Sequence, residues 1–223
     1  LSSKPEGLEA YRIKHLVRDI LGLGDHLSPG RPFAVVAHDW GASVGYATAI
    51  AAPGRVARLA VVNGVHPGPF QRALVEDEAQ RAASAYIHYL RDPKAEERLS
   101  ADGYQKLLNM MTGFGQRPWM TAKEREGYIE AWSQPGALTG MLNWYRATPV
   151  VVPKAGEKVD PATLPKLDPA ALRIRMPHCL IWGMDDRALL PASRATLADY
   201  CGDLAVHEIA GADHWVVHQK TDE

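Results

Sequence analysis

A strand, a sharp turn and a small-residue helix follow one another between residues 33 and 53, and this order limits the fold more than any other feature. The β-branched run FAVVAH (33–38) predicts a short strand, and ASVGYATAIAAP (42–53) predicts a helix that can pack tightly on a sheet. A second strand, LAVVNG (59–64), follows. This order implies two parallel strands joined right-handedly. The sequence therefore predicts an α/β fold with a parallel sheet.

Asp39 lies at the turn, within the tetrapeptide HDWG (38–41). A carboxylate exposed at a strand-to-helix turn can attack carbon and form an ester. Such a strained turn needs small neighbours, a requirement that Ala37 and Gly41 meet. A simpler interpretation is that Asp39 caps the helix that begins at Trp40, a common role for aspartate. The turn alone leaves both roles open.

The composition is that of an ordinary globular protein and excludes several classes of partner. Of 223 residues, 46% are hydrophobic and 23% charged, enough for a sizeable core and an inserted second unit. The net charge is -1 without a dense basic run, so we expect no nucleic acid and no acidic membrane as partner. Cys179 and Cys201 provide neither a disulfide framework nor metal-ligand spacing. Since no apolar stretch approaches the ~18 residues of a membrane span, we expect a soluble, cytoplasmic protein that acts on small molecules.

Three segments differ along the chain. Residues 1–70 carry the first strands, after an amphipathic helix whose pattern ends at Gly22 and Gly24. Residues 71–160 lack strand signals and show helical segments instead: EDEAQRAASAYIHYL, DGYQKLLNMM, AKEREGYIEAW and GALTGMLNWYRA. Residues 161–223 contain the strands PHCLIWG and LAVHEIAG, predicted to be buried and parallel, around a helical PASRATLADYC. We expect an α/β core in two parts, with the middle segment inserted as a helical lid.

Candidate partners for Asp39 follow the later strands. An ester needs a water activated by a base, and the base needs an orienting carboxylate. Asp185 and Asp186 follow PHCLIWG, and His214 lies in the loop GADHW after LAVHEI. All would lie at the carboxyl ends of parallel strands, where open α/β sheets place their active sites.

Four motifs carry a resemblance to a known family. HDWGA, WGMDD, GADHW and LNWYR resemble the signatures of epoxide hydrolases of the α/β-hydrolase superfamily, whose nucleophile, acid and histidine follow the order of Asp39, Asp186 and His214. The resemblance implies an α/β-hydrolase core with a helical lid, and an enzyme that opens a small apolar epoxide with water to a vicinal diol, without cofactor or metal. In the family the acid lies three residues after the Gly of WGxxD, which selects Asp186 over Asp185.

The resemblance also implies roles for lid residues. Two lid tyrosines of the family hydrogen-bond the epoxide oxygen, and the NWYR match assigns one role to Tyr145. SAYIHYLRDP matches the earlier lid helix and assigns the other to Tyr86, with Tyr89 as the rival one turn away. Each could instead pack against the core and satisfy its hydroxyl on the backbone. The backbone N–H of Trp40 would donate to the oxyanion of the ester's hydrolysis.

Aromatic residues favour an apolar substrate pocket. Trp40 and Trp144 are its candidate lining residues, and further lid aromatics are Phe114, Trp119 and Trp132. Aromatic residues at helical spacing, however, more often pack in a hydrophobic core than line a pocket. The sequence does not identify the substrate.

Other functions stay open. A haloalkane dehalogenase also uses Asp followed by Trp. Its leaving halide is best held by N–H donors, however, and LNWYR provides the phenol of Tyr145 instead. A fluoroacetate-type dehalogenase has Arg after the nucleophile, where this chain has Trp40. A catalytically silent binding module on the same fold is a third reading. A metal site from His207, His214 and His218 lacks matching carboxylate and cysteine ligands, so we expect none.

The family's core begins with strands ahead of the nucleophile turn, and these are not found here. A family loop reading HGxP, which carries a second oxyanion donor, is also not found, and only four strand candidates are present. The chain runs from Leu1 to Glu223, before the family's closing helix. We therefore expect an incomplete core, whose uncovered sheet edge would favour association, for example as a homodimer.

Overall fold

Four parallel strands form the sheet of the computed structural model, which describes residues 2–113, 119–164 and 166–222. Within these residues the strands pair in chain order and are β1 (Phe33–His38), β2 (Val56–Val62), β3 (His178–Gly183) and β4 (Leu204–Ile209). Each corresponds to a run of apolar and β-branched residues. The predicted α/β fold with a parallel sheet is confirmed.

The helices of the described residues fall into two groups. Those near the strands in sequence are α1 (Ile13–Leu27), α2 (Trp40–Ala51), α3 (Pro67–Glu76) and α9 (Val216–Gln219). Those between α3 and β3 are α4 (Glu78–Ala83), α5 (Tyr86–Arg91), α6 (Ala95–Gly113), α7 (Ala122–Ser133) and α8 (Ala137–Ala147). Non-helical backbone interrupts α6 from Ala101 to Tyr104. Across the ranges that the structure describes, every helix is too short or too polar to cross a bilayer.

The sheet and α2 share the main hydrophobic core. Tyr46 of α2 is buried with Leu59 of β2 and Leu180 of β3. Gly45 lets the helix approach the sheet, because a Cβ there would lie 3.1 Å from the Cβ of Ala37. The small residues of α2 therefore serve close packing, as predicted.

Helices α5 to α8 enclose a hydrophobic cluster of their own. Its buried members are Leu90, Ala95, Leu99, Leu107, Leu108, Trp132, Leu138 and Leu142. Tyr86 and Tyr145 pack against both this cluster and the main core. These two tyrosines therefore lie where the helical segment meets the sheet.

Two helix predictions differ from the structure in their extent. α1 continues through Gly22 and Gly24 to Leu27. A helix tolerates each glycine at a cost of about 1 kcal/mol, and at Gly24 any side chain would overlap the ring of Phe33. The helix predicted over 76–90 is divided into α4, which ends at Ala83 before the buried Ser84, and α5, which begins at Tyr86.

Two further predictions are wrong in kind. PASRATLADYC forms two short 3-10 helices, Pro191–Arg194 and Leu197–Tyr200, instead of one α-helix. The strand LAVHEI (β4) is not buried as expected, since Val206 is 42% exposed, and Val36 of β1, the other outer strand, is 75% exposed. In the described residues each outer strand pairs on one side only, whereas β2 and β3 have neighbours on both sides.

Candidate active site

Asp39 sits in a strained turn between β1 and α2. Its φ is 52° and its ψ is -125°, a conformation that non-glycine residues rarely adopt. The carboxylate does not make the hydrogen bond to the second or third N–H of α2 that defines a helix cap, so the cap interpretation is wrong. It instead accepts hydrogen bonds from the backbone N–H of Trp40 and from His214. The turn therefore directs a carboxylate towards the end of the sheet.

The glycine that packs tightly at this turn is not the predicted one. A Cβ on Gly41 would meet no atom within 4 Å, so the expected need for a small residue there is wrong. A Cβ on Gly64 would overlap the side chain of Ala42 and lie 3.5 Å from the carbonyl oxygen of Asp39. The segment after β2 therefore supports the turn from beneath.

His214 lies between two carboxylates. Its Nε2 is 3.1 Å from Oδ1 of Asp39, and its Nδ1 is 2.8 Å from Oδ2 of Asp186. The side chains of His214 and Asp186 are 3% and 0% exposed, whereas that of Asp39 is 41% exposed. The structure thus brings Asp186, rather than Asp185, to the histidine. Such an arrangement can hold an imidazole ring fixed beside a reactive carboxylate.

The two carboxylates set the charge of the histidine. Burial alone would lower the pKa of His214, but hydrogen bonds to Asp186 and Asp39 outweigh it and raise the pKa to about 10. Desolvation raises the pKa of Asp39, but the hydrogen bond and the charge of His214, together with the bond from the N–H of Trp40, outweigh this and leave the pKa below its ordinary value. The raised pKa keeps His214 protonated at neutral pH. Removal of either negative charge would lower the pKa of His214.

Two further residues support Asp186 and His214, although no role was predicted for either from the sequence. Asn63, buried just after β2, donates from Nδ2 to Oδ2 of Asp186 at 2.8 Å. His38, the last residue of β1, donates from Nε2 to the backbone oxygen of His214 at 2.8 Å. The available signal was their position, since both polar residues end apolar strands at the edge that carries Asp39.

Tyr86 and Tyr145 face Asp39 from α5 and α8. Their ring centroids are 6.2 Å apart, the two side chains hydrogen-bond each other, and Tyr145 also bonds the indole of Trp40. Burial raises the pKa of both phenols, and the negative charge of Asp39 raises it further. Both phenols therefore keep their protons at neutral pH and can act as donors.

The rival Tyr89 lies elsewhere. Its ring packs in the helical cluster, with Nζ of Lys106 4.0 Å and the Arg98 guanidinium carbon 5.6 Å from its centroid. Tyr86, in contrast, lines a cavity together with Asp39. The structure places Tyr86 at the candidate nucleophile.

Two largely apolar cavities reach Asp39. The larger, of about 310 Å³, is lined by Trp40, Tyr86 and Trp144 together with apolar residues of α1 and α2. The smaller, of about 170 Å³, is lined by Tyr145 and by leucine and methionine side chains of α5, α6 and α8. The nucleophile candidate therefore stands between two spaces suited to apolar groups.

The other aromatic candidates take different places. Trp132 is buried in the helical cluster. Trp119 stacks on His218 with centroids 4.2 Å apart, and it also contacts Trp215. Phe114 lies outside the described residues.

Comparison with known proteins decides the family. The sequence profile of the α/β-hydrolase fold matches residues 1–221. The chain belongs to this family. This α/β hydrolase is 33% identical to AB hydrolase superfamily protein YfhM of Bacillus subtilis, across 99% of the chain and 72% of that protein. It is 30% identical to Epoxide hydrolase 2 of Caenorhabditis elegans, across 96% of the chain and 58% of that protein.

A solved structure agrees with this assignment. A novel epoxide hydrolase from metagenomes of hot environments is 33% identical, with a TM-score of 0.84 over 96% of this chain and 72% of that one. The predicted resemblance is confirmed, and the chain is an epoxide-hydrolase-like α/β hydrolase.

The histidines considered for a metal site are spread over this α/β hydrolase. His207 is exposed on β4, His218 stacks on Trp119, and His214 is held by its carboxylates. Within residues 2–113, 119–164 and 166–222, no group of three or more His, Cys, Asp or Glu could hold a metal ion.

Proposed function

We propose that this α/β hydrolase opens epoxides to vicinal diols through a covalent ester on Asp39. The observation that carries the proposal is the position of this carboxylate, which meets the His214–Asp186 pair on one side and two protonated phenols on the other. The likeness to Epoxide hydrolase 2 of C. elegans and to the metagenomic epoxide hydrolase supports the same reaction.

In the first step, a carboxylate oxygen of Asp39 attacks one ring carbon, and the bond between that carbon and the ring oxygen breaks. Tyr86 and Tyr145 stabilise the resulting alkoxide by hydrogen bonds, and one of them transfers its proton to it. Because their pKa values are raised, these phenols are protonated when the epoxide arrives. The product is a hydroxyalkyl ester of Asp39 beside one phenolate.

In the second step, water attacks the carbonyl carbon of the ester. His214 takes a proton from this water at Nε2 while Asp186 holds its Nδ1, and the N–H of Trp40 donates to the oxyanion. The tetrahedral intermediate then releases the diol oxygen, which receives the proton back from His214. The proton left on the Asp39 acid returns to His214, so the net reaction consumes one epoxide and one water.

The charge of the site suits this order of steps. Before reaction, His214 is protonated because two carboxylates raise its pKa to about 10. The ester removes the negative charge of Asp39, so the pKa of His214 falls. Its proton passes to the phenolate left by the first step, so the histidine becomes a base only after the nucleophile has reacted.

The two cavities favour an epoxide with apolar substituents, because polar lining groups are few beside Asp39. A dehalogenase is less well supported, since the indole of Trp40 is engaged by Tyr145 rather than left for a halide. We further propose that residues 71–160 act as the lid, because this segment supplies both tyrosines, and that 1–70 and 161–223 form the core.

The test is to trap the ester. A His214→Gln variant lacks the base, so after exposure to styrene oxide its intact mass should rise by the mass of the whole epoxide. The same variant with Asp39→Asn added should show no gain. A gain of an alkyl group from 1-bromobutane, without a gain from styrene oxide, would favour the dehalogenase. No gain from either compound would contradict the proposed nucleophile.

A further inference from the structure

We infer that Asn63 is a positioning residue for hydrolysis of the Asp39 ester and has no part in forming it. The inference rests on the proposed function. Asn63 touches neither the attacking oxygen of Asp39 nor the phenols, and its side chain acts through Asp186. Its loss should therefore affect one half-reaction and not the other.

The side chain of Asn63 is fixed at both of its polar atoms. Its Oδ1 accepts a hydrogen bond from the backbone N–H of Gly183 at 2.7 Å, and its Nδ2 donates to Oδ2 of Asp186 at 2.8 Å. The residue is fully buried, so no water competes for these groups. The amide is therefore held in one orientation, with its donor directed at the carboxylate.

Asp186 divides its hydrogen bonds between its two oxygens. Oδ1 accepts from the backbone N–H groups of Ala188 at 2.8 Å and Leu189 at 2.9 Å. Oδ2 accepts from Nδ1 of His214 at 2.8 Å and from Asn63. Backbone amides thus anchor one oxygen, while the direction of the other is set by Asn63 and the histidine. Without the Asn63 donor, Oδ2 has His214 alone to hold it, and the imidazole loses part of its orientation.

The backbone of Asn63 has a separate task. Its φ is 34°, outside the usual region for a non-glycine residue, and its carbonyl oxygen accepts the N–H of Asp39 at 3.3 Å. Its own N–H donates to the carbonyl oxygen of Ile181 at 3.0 Å. A side-chain substitution leaves these backbone groups in place. The nucleophile turn should therefore persist when the amide is lost, and only the acid and base are affected.

The expected result is a selective effect on the second step. Asn63→Ala removes the donor, and Asn63→Asp keeps the shape and the oxygen facing Gly183 but replaces the donor by a second carboxyl group. In both variants we expect hydrolysis of the ester to slow by about 10- to 100-fold, because this factor corresponds to the loss of one hydrogen bond to a charged group. The rate constant for ester formation should be unchanged, so the ester accumulates.

Single-turnover experiments with enzyme in excess over styrene oxide measure both rate constants. Rapid quenching followed by intact mass gives the rise and decay of the ester, and these first-order constants do not depend on the fraction of folded enzyme. Gln71→Ala is the matched control, since Gln71 is also a buried amide with two backbone bonds, both 2.8 Å, but to Val151. Its decay constant should equal that of wild type.

The outcomes separate the two claims. If both steps slow equally in the Asn63 variants, or if only Asn63→Ala slows and Asn63→Asp decays at the wild-type rate, the positioning role is wrong while the proposed function stands. If wild type and His214→Gln form no ester, the proposed function fails first. A slower decay in both Asn63 variants with unchanged formation supports the inference.

Discussion

At the scale of single residues, Tyr86 and Tyr89 show how one turn of helix separates two chemical environments. The hydroxyl of Tyr86 is hydrogen-bonded with Tyr145 beside Asp39. The hydroxyl of Tyr89 is buried and, among the described residues, finds no hydrogen-bond partner. A buried hydroxyl without a partner costs free energy, so its removal is nearly neutral or stabilising.

Tyr86→Phe should slow ester formation by about 100-fold, the usual cost of one donor to a developing oxyanion, and leave the stability largely unchanged. Tyr89→Phe should leave both steps unchanged and not lower the free energy of unfolding. Rapid-quench mass measurements and urea unfolding of the two variants check this pair. Equal rates in the two variants would place the donor elsewhere.

The motifs located Asp39, Asp186 and His214 because each stands at a fixed distance from a glycine or tryptophan after a strand. Asn63 was not found, since asparagine after a strand is also an ordinary turn residue. Its role depends on a contact between the ends of β2 and β3. Asn63 and Gly183, which meet there, are 120 residues apart in the sequence. No local pattern encodes that contact.

At the scale of elements, two arginine side chains, Arg91 of α5 and Arg146 of α8 itself, fix the position of α8. Arg91 donates from Nε to the carbonyl oxygen of Tyr145 and from Nη2 to that of Val150, both at 2.8 Å. Arg146 forms a two-point ion pair with Glu96 at 2.6 and 2.7 Å. These bonds tie the end of the helix that carries Tyr145 to α5 and α6.

Arg91→Met should lower the free energy of unfolding by about 1–3 kcal/mol, the cost of leaving two part-buried carbonyls without a charged donor. It should also slow ester formation more than ester hydrolysis, because Tyr145 acts only in the first step. Arg98→Met is the control, since Arg98 is half exposed and pairs with Asp92 at 3.5 Å. Urea unfolding and single-turnover rates measure both effects, and an equal loss in the control would contradict the anchoring role.

Strands were the easier elements to predict, because short β-branched runs between glycines and prolines have few alternatives. The segment 191–201 was harder, since buried residues three or four apart fit an α-helix and a 3-10 helix equally. Here Ser193, Leu197 and Tyr200 are buried, and the hydroxyl of Ser193 donates to the carbonyl oxygen of Leu190 at 2.6 Å. Tertiary packing decides between the α-helix and the 3-10 helix, and the spacing of apolar residues in the sequence does not predict it.

At the scale of the whole molecule, two buried histidines link the fold to pH. His66 donates from Nε2 to the carbonyl oxygen of Leu172 at 3.0 Å and accepts at Nδ1 from the N–H of Gly68 at 3.2 Å. His178 accepts at Nε2 from the hydroxyl of Tyr46 at 2.9 Å. Burial lowers the pKa of both, that of His66 to about 4. Both are therefore neutral in the folded protein near pH 7.

Acid should destabilise the protein through these groups. As pH falls below about 6.5, the unfolded chain binds protons that the folded His66 takes up only near pH 4, so the free energy of unfolding decreases across that window. Across this window His66 should lower the free energy of unfolding by about 3 kcal/mol. His66→Gln should lower the stability at pH 7 yet flatten its decrease towards pH 4, whereas His26→Gln on the exposed face of α1 should not. Urea unfolding at several pH values checks this, and an unchanged slope in His66→Gln would contradict it.

The unequal cavities beside Asp39 have a consequence for which ring carbon is attacked. An epoxide with one large and one small substituent fits best with the large group in the 310 Å³ space and the small group in the 170 Å³ space. The ring is then held in one orientation, and the same carbon is presented to the carboxylate in every turnover. Regioselectivity would follow from volume alone. Water oxygen first enters the Asp39 carboxylate, so over many turnovers in labelled water oxygen-18 should collect on one carbon of the diol.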